Sequence, residues 1–359
     1  MEGLERLKKV NFWNGKKVFV TGHTGFKGSW LVFWLSELGA NVTGYSLKPK
    51  NRENLFEKLK LKKKISKNYF ADIRNYKKLK KAVKLCNPEV VFHLAAQPLV
   101  LDSYKEPLKT YETNVIGTAN LLESCKLVNK LRSVLIITTD KCYKNKEINY
   151  GYKEEDELGG YDPYSSSKAC AEIVTGSYND SFFYNSKTNI ASVRAGNVIG
   201  GGDWSKNRIV PDILKAYNQN KELFVRNPKS TRPWQHVIEP ISGYLKLARV
   251  LFHKKSFSGA WNFGPYKKDN LKVSEIIKLF EKNLEKNKFR YKFSKKKQKL
   301  HEANLLMLDI RKVIKNLNWK PKWSADQAIK KVIEWNEWYK KNKIEEVTKK
   351  QILEYGNKL

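Results

Sequence analysis

The chain has 359 residues, 41% hydrophobic and 12% aromatic with 10 Trp, enough apolar material for two packed lobes and too much for a disordered chain. No run approaches the roughly 20 apolar residues of a membrane span, and the opening "MEGLERLKKVNFW" lacks the apolar core and small-residue cleavage site of a secretory signal. The formal net charge is +34, from 70 basic against 36 acidic residues. It is mostly Lys and spread along the chain, so it reads as a lysine-biased composition rather than a nucleic-acid footprint, for which the planar fork of Arg is the better reader.

The first half alternates strand and helix. "KKVFVTG" (16–22) predicts a short buried strand, and "SWLVFWLSELG" (29–39) an apolar helix stopped by Gly39. Between them, "VFVTGHTGFKGSWL" sets Gly22, Gly25 and Gly28 at a strand-to-helix turn. Glycine lets the backbone turn tightly and approach a pyrophosphate, and the helix N-terminus supplies N–H groups. Gly22, Thr24, Gly25, Phe26, Lys27 and Gly28 are therefore candidate dinucleotide contacts. The spacing G-x-x-G-x-x-G, in place of the tighter G-x-G-x-x-G, points to the short-chain dehydrogenase/reductase superfamily.

"NVTGYSL" (41–47) is the next strand. Its end offers Tyr45, Ser46, Leu47 and Lys48 but no acid for an adenosine ribose, which leaves NAD or NADP open on physical grounds. The lysine-rich stretch 58–67 reads as solvated loop or helix face, as does "SKKKQK" (294–299). "KNYFADI" (67–73) brings Asp72 and Ile73 to a strand end suited to adenine, and a helix follows around 76–86. "EVVFHLAA" (89–96) is an apolar strand ending at Leu94, Ala95 and Ala96. Gln97, Ser103 and Asn114 lie after it, and His93 within it reads as a packed residue. A long helix is expected over 109–129, then the strand "SVLIITT" (133–139), a helix from Tyr164 to about 179, and the strand "NIASVRAG" (189–196). Unbroken apolar strands separated by helices predict a doubly wound, Rossmann-type parallel sheet in an α/β fold.

After Gly196 the pattern loosens. Short helices (208–219, 240–252, 274–286) mix with short strands (222–226, 259–263, 289–293), and a terminal helix covers 324–342. The division predicted is 12–196 for the dinucleotide-binding domain with the catalytic residues, and 197–345 for a smaller α/β substrate lobe that exchanges segments with the first. A cleft between them would hold the substrate. The cysteines, Cys86, Cys125, Cys142 and Cys170, show no metal-ligand or disulfide spacing, which suits a reducing cytoplasm.

Two motifs carry the chemistry. In "YDPYSSSK", Tyr164 and Lys168 share one helix face. A free tyrosine, with a pKa near ~10, is no base at neutral pH, and a neighbouring ammonium favours its phenolate. Tyr164 can then exchange a proton with a sugar hydroxyl while hydride leaves the same carbon. In "LIITTDKCYKN" (135–145), the strand end, if the sheet resembles that of the superfamily, delivers Thr139 beside that tyrosine, and Asp140 and Lys141 follow at once. A simple epimerase needs no such pair; two further proton-transfer groups imply elimination of water.

"FWNGKKVFVTGHTGFKGSWL", "HLAAQPLV", "ITTDKCYKN", "YDPYSSSKACAE", "RAGNVIGGGDW", "RPWQHVIEP" and "WNFGP" together resemble the CDP-glucose 4,6-dehydratase family of the extended short-chain dehydrogenase/reductase superfamily, from about Phe12 to Trp338. Related dTDP-glucose dehydratases carry Thr-Asp-Glu where this chain has Thr139-Asp140-Lys141, and Leu101 stands where the family often has Arg. The resemblance implies bound NAD, a CDP-sugar substrate and a cycle in three steps. Carbon 4 is oxidised with Tyr164 taking the hydroxyl proton, Lys141 removes the carbon 5 proton while Asp140 protonates the departing 6-hydroxyl, and hydride returns to carbon 6. It further implies a diphosphate contact at Asn197; Arg208 and Arg232, two of the few arginines, suit bidentate binding of that diphosphate, and Trp234 and His236 are either contacts to the base or sugar or core aromatics. Gln97 and Ser103 join the substrate set, and a homodimer or tetramer is expected, with no nucleic-acid, membrane or metal partner. The competing readings are another nucleotide-sugar 4,6-dehydratase or 4-epimerase, and a nonenzymatic nucleic-acid-associated protein of the same fold.

Overall fold

The structure is a computed structural model describing residues 11–284, 289–293 and 305–356. The lysine stretch 294–299, the first ten residues and the last two residues of the expected helix 274–286 lie outside the described residues.

Apolar strands build the main sheet. In chain order β1 (Lys17–Thr21), β2 (Asn41–Ser46), β3 (Lys67–Phe70), β4 (Val90–His93), β5 (Ser133–Ile137) and β6 (Asn189–Ala195) are joined by the edge strand Gly259–Phe263. The spatial order is edge strand, β6, β5, β4, β1, β2, β3, and the pairs from β3 through to β6 are parallel. Every residue of β4, β5 and β6 is buried, as expected for strands covered on both faces. The order reverses between β1 and β4. Ligands of such sheets bind outside the carboxyl ends of the strands at that point.

Two local readings needed correction. The strand Gly259–Phe263, expected in the second lobe, is the seventh strand of the main sheet, where it pairs the otherwise open edge of the fully buried β6. The helix expected over 109–129 is three pieces: Pro107–Tyr111, a π-turn Glu112–Ile116 and Gly117–Cys125. The extra residue of the π-turn accompanies a close approach, because a Cβ on Gly117 would lie 2.8 Å from Cγ2 of Ile73. A final helix, Ile344–Gly356, was not read from the sequence.

The chain makes two compact units. Among the described residues, the first takes in 11–144, 157–194 and 241–261; the second takes in 145–156, 195–240, 262–284, 289–293 and 305–356. The core of the first joins Phe19, Tyr45, Val91, Leu121, Val134 and Ile190 across the sheet and its helices. The second unit packs the helices Ile209–Asn218, Val273–Asn283 and Ala325–Lys340 around Ile213, Phe280 and Ile329. Three two-stranded ladders flank it: Val198–Ile199 with Gln235–His236, Thr231–Pro233 with Asn270–Lys272, and Glu222–Val225 with Arg290–Phe293.

Candidate active site

The glycine loop joins β1 to the helix Phe26–Glu37. Gly22 has φ +71°, and a Cβ there would lie 2.6 Å from the main-chain nitrogen of Ala95; a Cβ on Gly28 would lie 2.2 Å from the oxygen of Gly22. Both positions therefore demand glycine, Gly22 for the loop to close against the end of β4 and Gly28 for the helix to start against the Gly22 main chain. Leu94 and Ala95 are held there as their N–H groups donate to Oγ1 of Thr21, each at 3.2 Å. Ala96 is half-buried just beyond. Gly25 differs: a Cβ would touch only the Gly22 oxygen, at 3.3 Å, and would otherwise meet open space. Gly25 is also the N-cap, with no side-chain cap and no acid in the first helical turn. That leaves main-chain N–H groups and the positive end of the helix dipole for an anion, so the loop fits a dinucleotide pyrophosphate.

The remaining candidates for the cofactor are placed as follows. Thr24 bonds Oγ of Ser46 and the carbonyl of Leu47, tying the loop to the end of β2. Lys27 reaches the Tyr244 hydroxyl at 3.4 Å. Tyr45 is a core residue whose hydroxyl donates to the carbonyl of Asp72 at 3.0 Å; burial pushes its pKa up to about 12. The Asp72 carboxylate faces Arg74, which also pairs with Glu112, and hydrogen bonding to Arg74 holds Asp72 below its usual range. Ile73 is buried against Gly117. Asn114 is buried in the π-turn; its amide accepts from Gln97 N–H and donates to the Gln97 carbonyl and to Oγ of Ser167. It thus ties the strand-end segment at Gln97 to the helix that carries Tyr164.

That helix, Pro163–Tyr178, starts where its sequence says it must. Asp162 is the N-cap, accepting from Ser165 N–H and hydroxyl, and Pro163 takes the first helical position. Tyr164 consequently lies in the first turn, with Lys168 one turn on and Glu172 a further turn along. All three are buried. Lys168 donates to the carbonyl of Ile137 at 3.0 Å, under the end of β5, and burial lowers its pKa from 10.5 to about 8.

Beyond β5 the chain makes a short 3₁₀ turn, Asp140–Cys142, capped by Thr139 and packed against the Tyr164 helix. Thr139 donates its hydroxyl to Oδ1 of Asp140 at 2.9 Å and accepts from Lys141 N–H at 3.4 Å. Asp140 is buried and Lys141 half-buried. The turn and the helix thus bring Thr139, Asp140, Lys141, Tyr164 and Lys168 to one end of the sheet.

The sequence reading missed what lies beneath. Glu172 accepts from Oγ1 of Thr138, from Oγ of Ser192 and from Arg194 at 2.9 Å. Arg194 donates its other terminal nitrogen to the Tyr143 hydroxyl at 2.8 Å and lies over the Tyr143 ring. The signal was present as one acid and one base at positions whose periodicity is that of core. His23 was missed too: it is buried in the glycine loop, its Nε2 pairs with Oδ1 of Asn68, and burial lowers its pKa to about 4. His93 is packed as read, its ring bridging the hydroxyls of Thr21 and Thr118.

Of the substrate candidates, Gln97 bonds Leu99 and Thr110, and Ser103 is buried with its hydroxyl donated to Val100 of its own helix. In the second unit, the Asn197 carbonyl accepts from Gln235, and Arg208 pairs with Asp203 at 3.3 Å while remaining partly exposed. Arg232 is buried with one donor on the Thr231 carbonyl. Trp234 and His236 are interior residues: Trp234 donates to Leu271, and the His236 ring meets Trp323 edge-on.

With this geometry in hand, comparison with known proteins is decisive. The GDP-mannose 4,6 dehydratase family model matches residues 19–332. The chain belongs to this family. It is 44% identical over 352 residues to the CDP-glucose 4,6-dehydratase of Salmonella typhimurium, covering 96% of this chain and 97% of that one. Among solved structures, an epimerase from Methanothermobacter thermautotrophicus aligns with a TM-score of 0.79 at 21% identity, covering 97% of each chain. A UDP-glucuronic acid 4-epimerase from Bacillus cereus, solved with UDP-glucuronic acid and NAD, aligns with a TM-score of 0.77 at 23% identity, over 90% of this chain and 99% of that one. The two structural likenesses show that this member of the GDP-mannose 4,6 dehydratase family has the epimerase-type Rossmann fold.

Proposed function

We propose that the chain is a CDP-glucose 4,6-dehydratase, converting CDP-glucose to CDP-4-keto-6-deoxyglucose and water with bound NAD. The observation that carries this reading is the near end-to-end match at 44% identity to an enzyme of that activity. The acid–base turn Asp140–Lys141 beside the Tyr164–Lys168 helix supports it. The glycine loop has a helix N-terminus with no side-chain cap and no first-turn acid, and the open approach at Gly25 that an NAD pyrophosphate needs. When bound, NAD supplies a two-electron acceptor that stores hydride from carbon 4 and returns it to carbon 6.

The chain's own residues handle the protons. Tyr164, as phenolate, takes the proton of the 4-hydroxyl, and the Lys168 ammonium holds that phenolate charged. The new 4-ketone acidifies carbon 5. Lys141 removes the carbon 5 proton and Asp140 delivers a proton to the leaving 6-oxygen, so water departs and carbons 5 and 6 become doubly bonded. Carbon 6 would then accept the hydride that NAD returns, Lys141 gives its proton back to carbon 5, and transfer of the Tyr164 proton to Asp140 through solvent resets both groups with no net oxidation. Asn197, Arg208 and Arg232 are the proposed diphosphate partners, and the protein works as a homodimer or tetramer in a reducing cytoplasm. Among the described residues no helix is long and apolar enough to cross a membrane.

Product analysis with CDP-, dTDP-, UDP- and GDP-sugars tests the reading. A 4-keto-6-deoxy product from CDP-glucose in strong preference to the others is expected. Interconversion of epimers without loss of water would replace it with the 4-epimerase reading.

A further inference from the structure

The Asp140–Cys142 turn is a single 3₁₀ turn capped by Thr139. Its internal main-chain bonds are long, 3.3 Å from Cys142 N–H to Thr139 and 3.5 Å from Tyr143 N–H to Asp140. Main-chain bonds fix where it starts and ends, Thr138 to Val193 at 2.9 Å and Gly159 to Cys142 at 2.8 Å. The side chains on either side of it converge on one place. Thr138 donates to Glu172, and Tyr143 accepts from Arg194. Glu172 and Arg194 pair with each other, with side chains only 3% and 4% exposed. A buried ion pair between a helix and a strand is costly to desolvate, and apolar residues would pack such an interface as well or better. Its retention at this spot asks for a use.

We propose that the Glu172–Arg194 pair is the positioning element of the Asp140–Lys141 turn, gripping it from both ends and so serving elimination more than oxidation. This rests on the dehydratase reading above. The helix bearing Tyr164 and Lys168 has its own fastenings, the Asp162 cap and the bond from Lys168 to Ile137. The turn, whose internal main-chain bonds are long, is joined to the pair on both flanks through Thr138 and Tyr143. Loss of the pair therefore displaces the turn before it displaces the helix, and misplacement of a reacting group by about 1 Å costs on the order of a hundredfold in rate.

The test, run at about pH 6, where Lys168 stays an ammonium with or without Glu172, uses the full-length enzyme with its bound cofactor and the double variant Glu172→Gln with Arg194→Met, which removes both charges together and leaves neither stranded. Three readouts are taken: thermal unfolding, reduced-nicotinamide absorbance on mixing with CDP-glucose, and deuterium uptake at carbon 5 in heavy water. The expected result is cooperative unfolding, oxidation of carbon 4 (read as cofactor reduction) within about threefold of wild type, and carbon 5 exchange slowed by roughly tenfold to a hundredfold. Equal loss of both steps, or wild-type rates for both, overturns the proposal, since the pair would then only support the whole site or balance itself. If the double variant does not fold, Tyr143→Phe decides. It cuts one bond to Arg194 and keeps the ring, and it must slow carbon 5 exchange while sparing reduction; unchanged exchange overturns the proposal. Wild-type enzyme that shows no carbon 5 exchange with CDP-glucose would instead remove the underlying dehydratase reading.

Discussion

Lys168 donates its ammonium to the main-chain oxygen of Ile137 at 3.0 Å, so the helix that carries Tyr164 is pinned to the last residue of β5. Its charge is exposed to several neighbours. Burial lowers its pKa to about 8, while Glu172 one turn along the helix and Cys142 on the facing turn oppose that shift. His93, on β4, is itself held neutral, burial lowering its pKa to about 3. The sign follows directly. Below about pH 8 Lys168 is an ammonium and favours the Tyr164 phenolate; above it that help is lost. Turnover is expected to fall as pH rises through about 8, and Glu172→Gln, which removes a raising influence, is expected to move that fall to lower pH. A pH–rate profile of both enzymes checks it, and an unmoved alkaline limb would refute the coupling.

Tyr164→Phe is expected to abolish turnover while leaving NAD and CDP-sugar affinity within about an order of magnitude. The phenol transfers a proton and contributes little to ground-state binding. Binding titrations beside steady-state kinetics separate the two, and near-normal turnover would dismiss Tyr164 as the base.

Glu239 gives a prediction about stability. It is fully buried in the second unit, accepting from Lys322 and Trp323 N–H at 3.0 and 2.7 Å and from the Tyr355 hydroxyl. Burial raises its pKa from 4.5 to about 7, outweighing those bonds. A carboxyl raised on folding contributes stability that is full below its unfolded pKa and lost as pH rises through its folded one. The contribution is on the order of 3 kcal/mol, lost between about pH 4.5 and 7. Glu239→Gln removes the titration, so its unfolding midpoint is expected to change less than that of wild type across this window. Parallel curves from thermal unfolding at several pH values would contradict it.

How much of this was legible in the chain depends on how local the cause is. The Asp162–Pro163 start of the catalytic helix, the glycine loop and the buried strands are written in adjacent residues, and the helix expected around 76–86 is Tyr76–Cys86. The π-turn at Asn114 was not legible, because it accompanies Gly117 meeting Ile73 from a distant strand end. Nor was the placing of Gly259–Phe263 at the edge of the main sheet, since pairing with β6 joins segments far apart in sequence. The Glu172–Arg194 pair falls between. Each residue is a charge at a buried position of its own element, yet only the fold brings one to the other.

Two exposed isoleucines bear on assembly. Ile116 is 53% exposed and Ile173 61%, on the π-turn Glu112–Ile116 and on the Tyr164 helix, apolar side chains that a subunit contact would cover. Ile173→Glu is expected to shift the protein toward monomer in light scattering at micromolar concentration, with its fold intact by circular dichroism. A wild-type monomer with full activity would end the homodimer proposal.

The last prediction separates oxidation from elimination. Asp140 and Lys141 share a turn capped by Thr139, whose hydroxyl is donated to Asp140. Tyr164 and Lys168 belong to the neighbouring helix, so the two pairs of groups can be disabled independently. Asp140→Asn keeps the shape but cannot deliver a proton to the 6-oxygen, and Lys141→Met keeps the length but cannot take one from carbon 5. Either variant should still allow oxidation of carbon 4. Hydride then stays on the cofactor, since carbon 6 has not become an acceptor, and reduced-nicotinamide absorbance should accumulate with product formation down by a hundredfold or more, on the order expected for a lost acid or base. Lys141→Met should also abolish deuterium exchange at carbon 5, while Asp140→Asn should retain part of it, because proton removal precedes or accompanies loss of the hydroxyl. Product at near wild-type rates from both variants would reduce Asp140 and Lys141 to an ordinary charged turn and return the chemistry to a simple oxidoreductase.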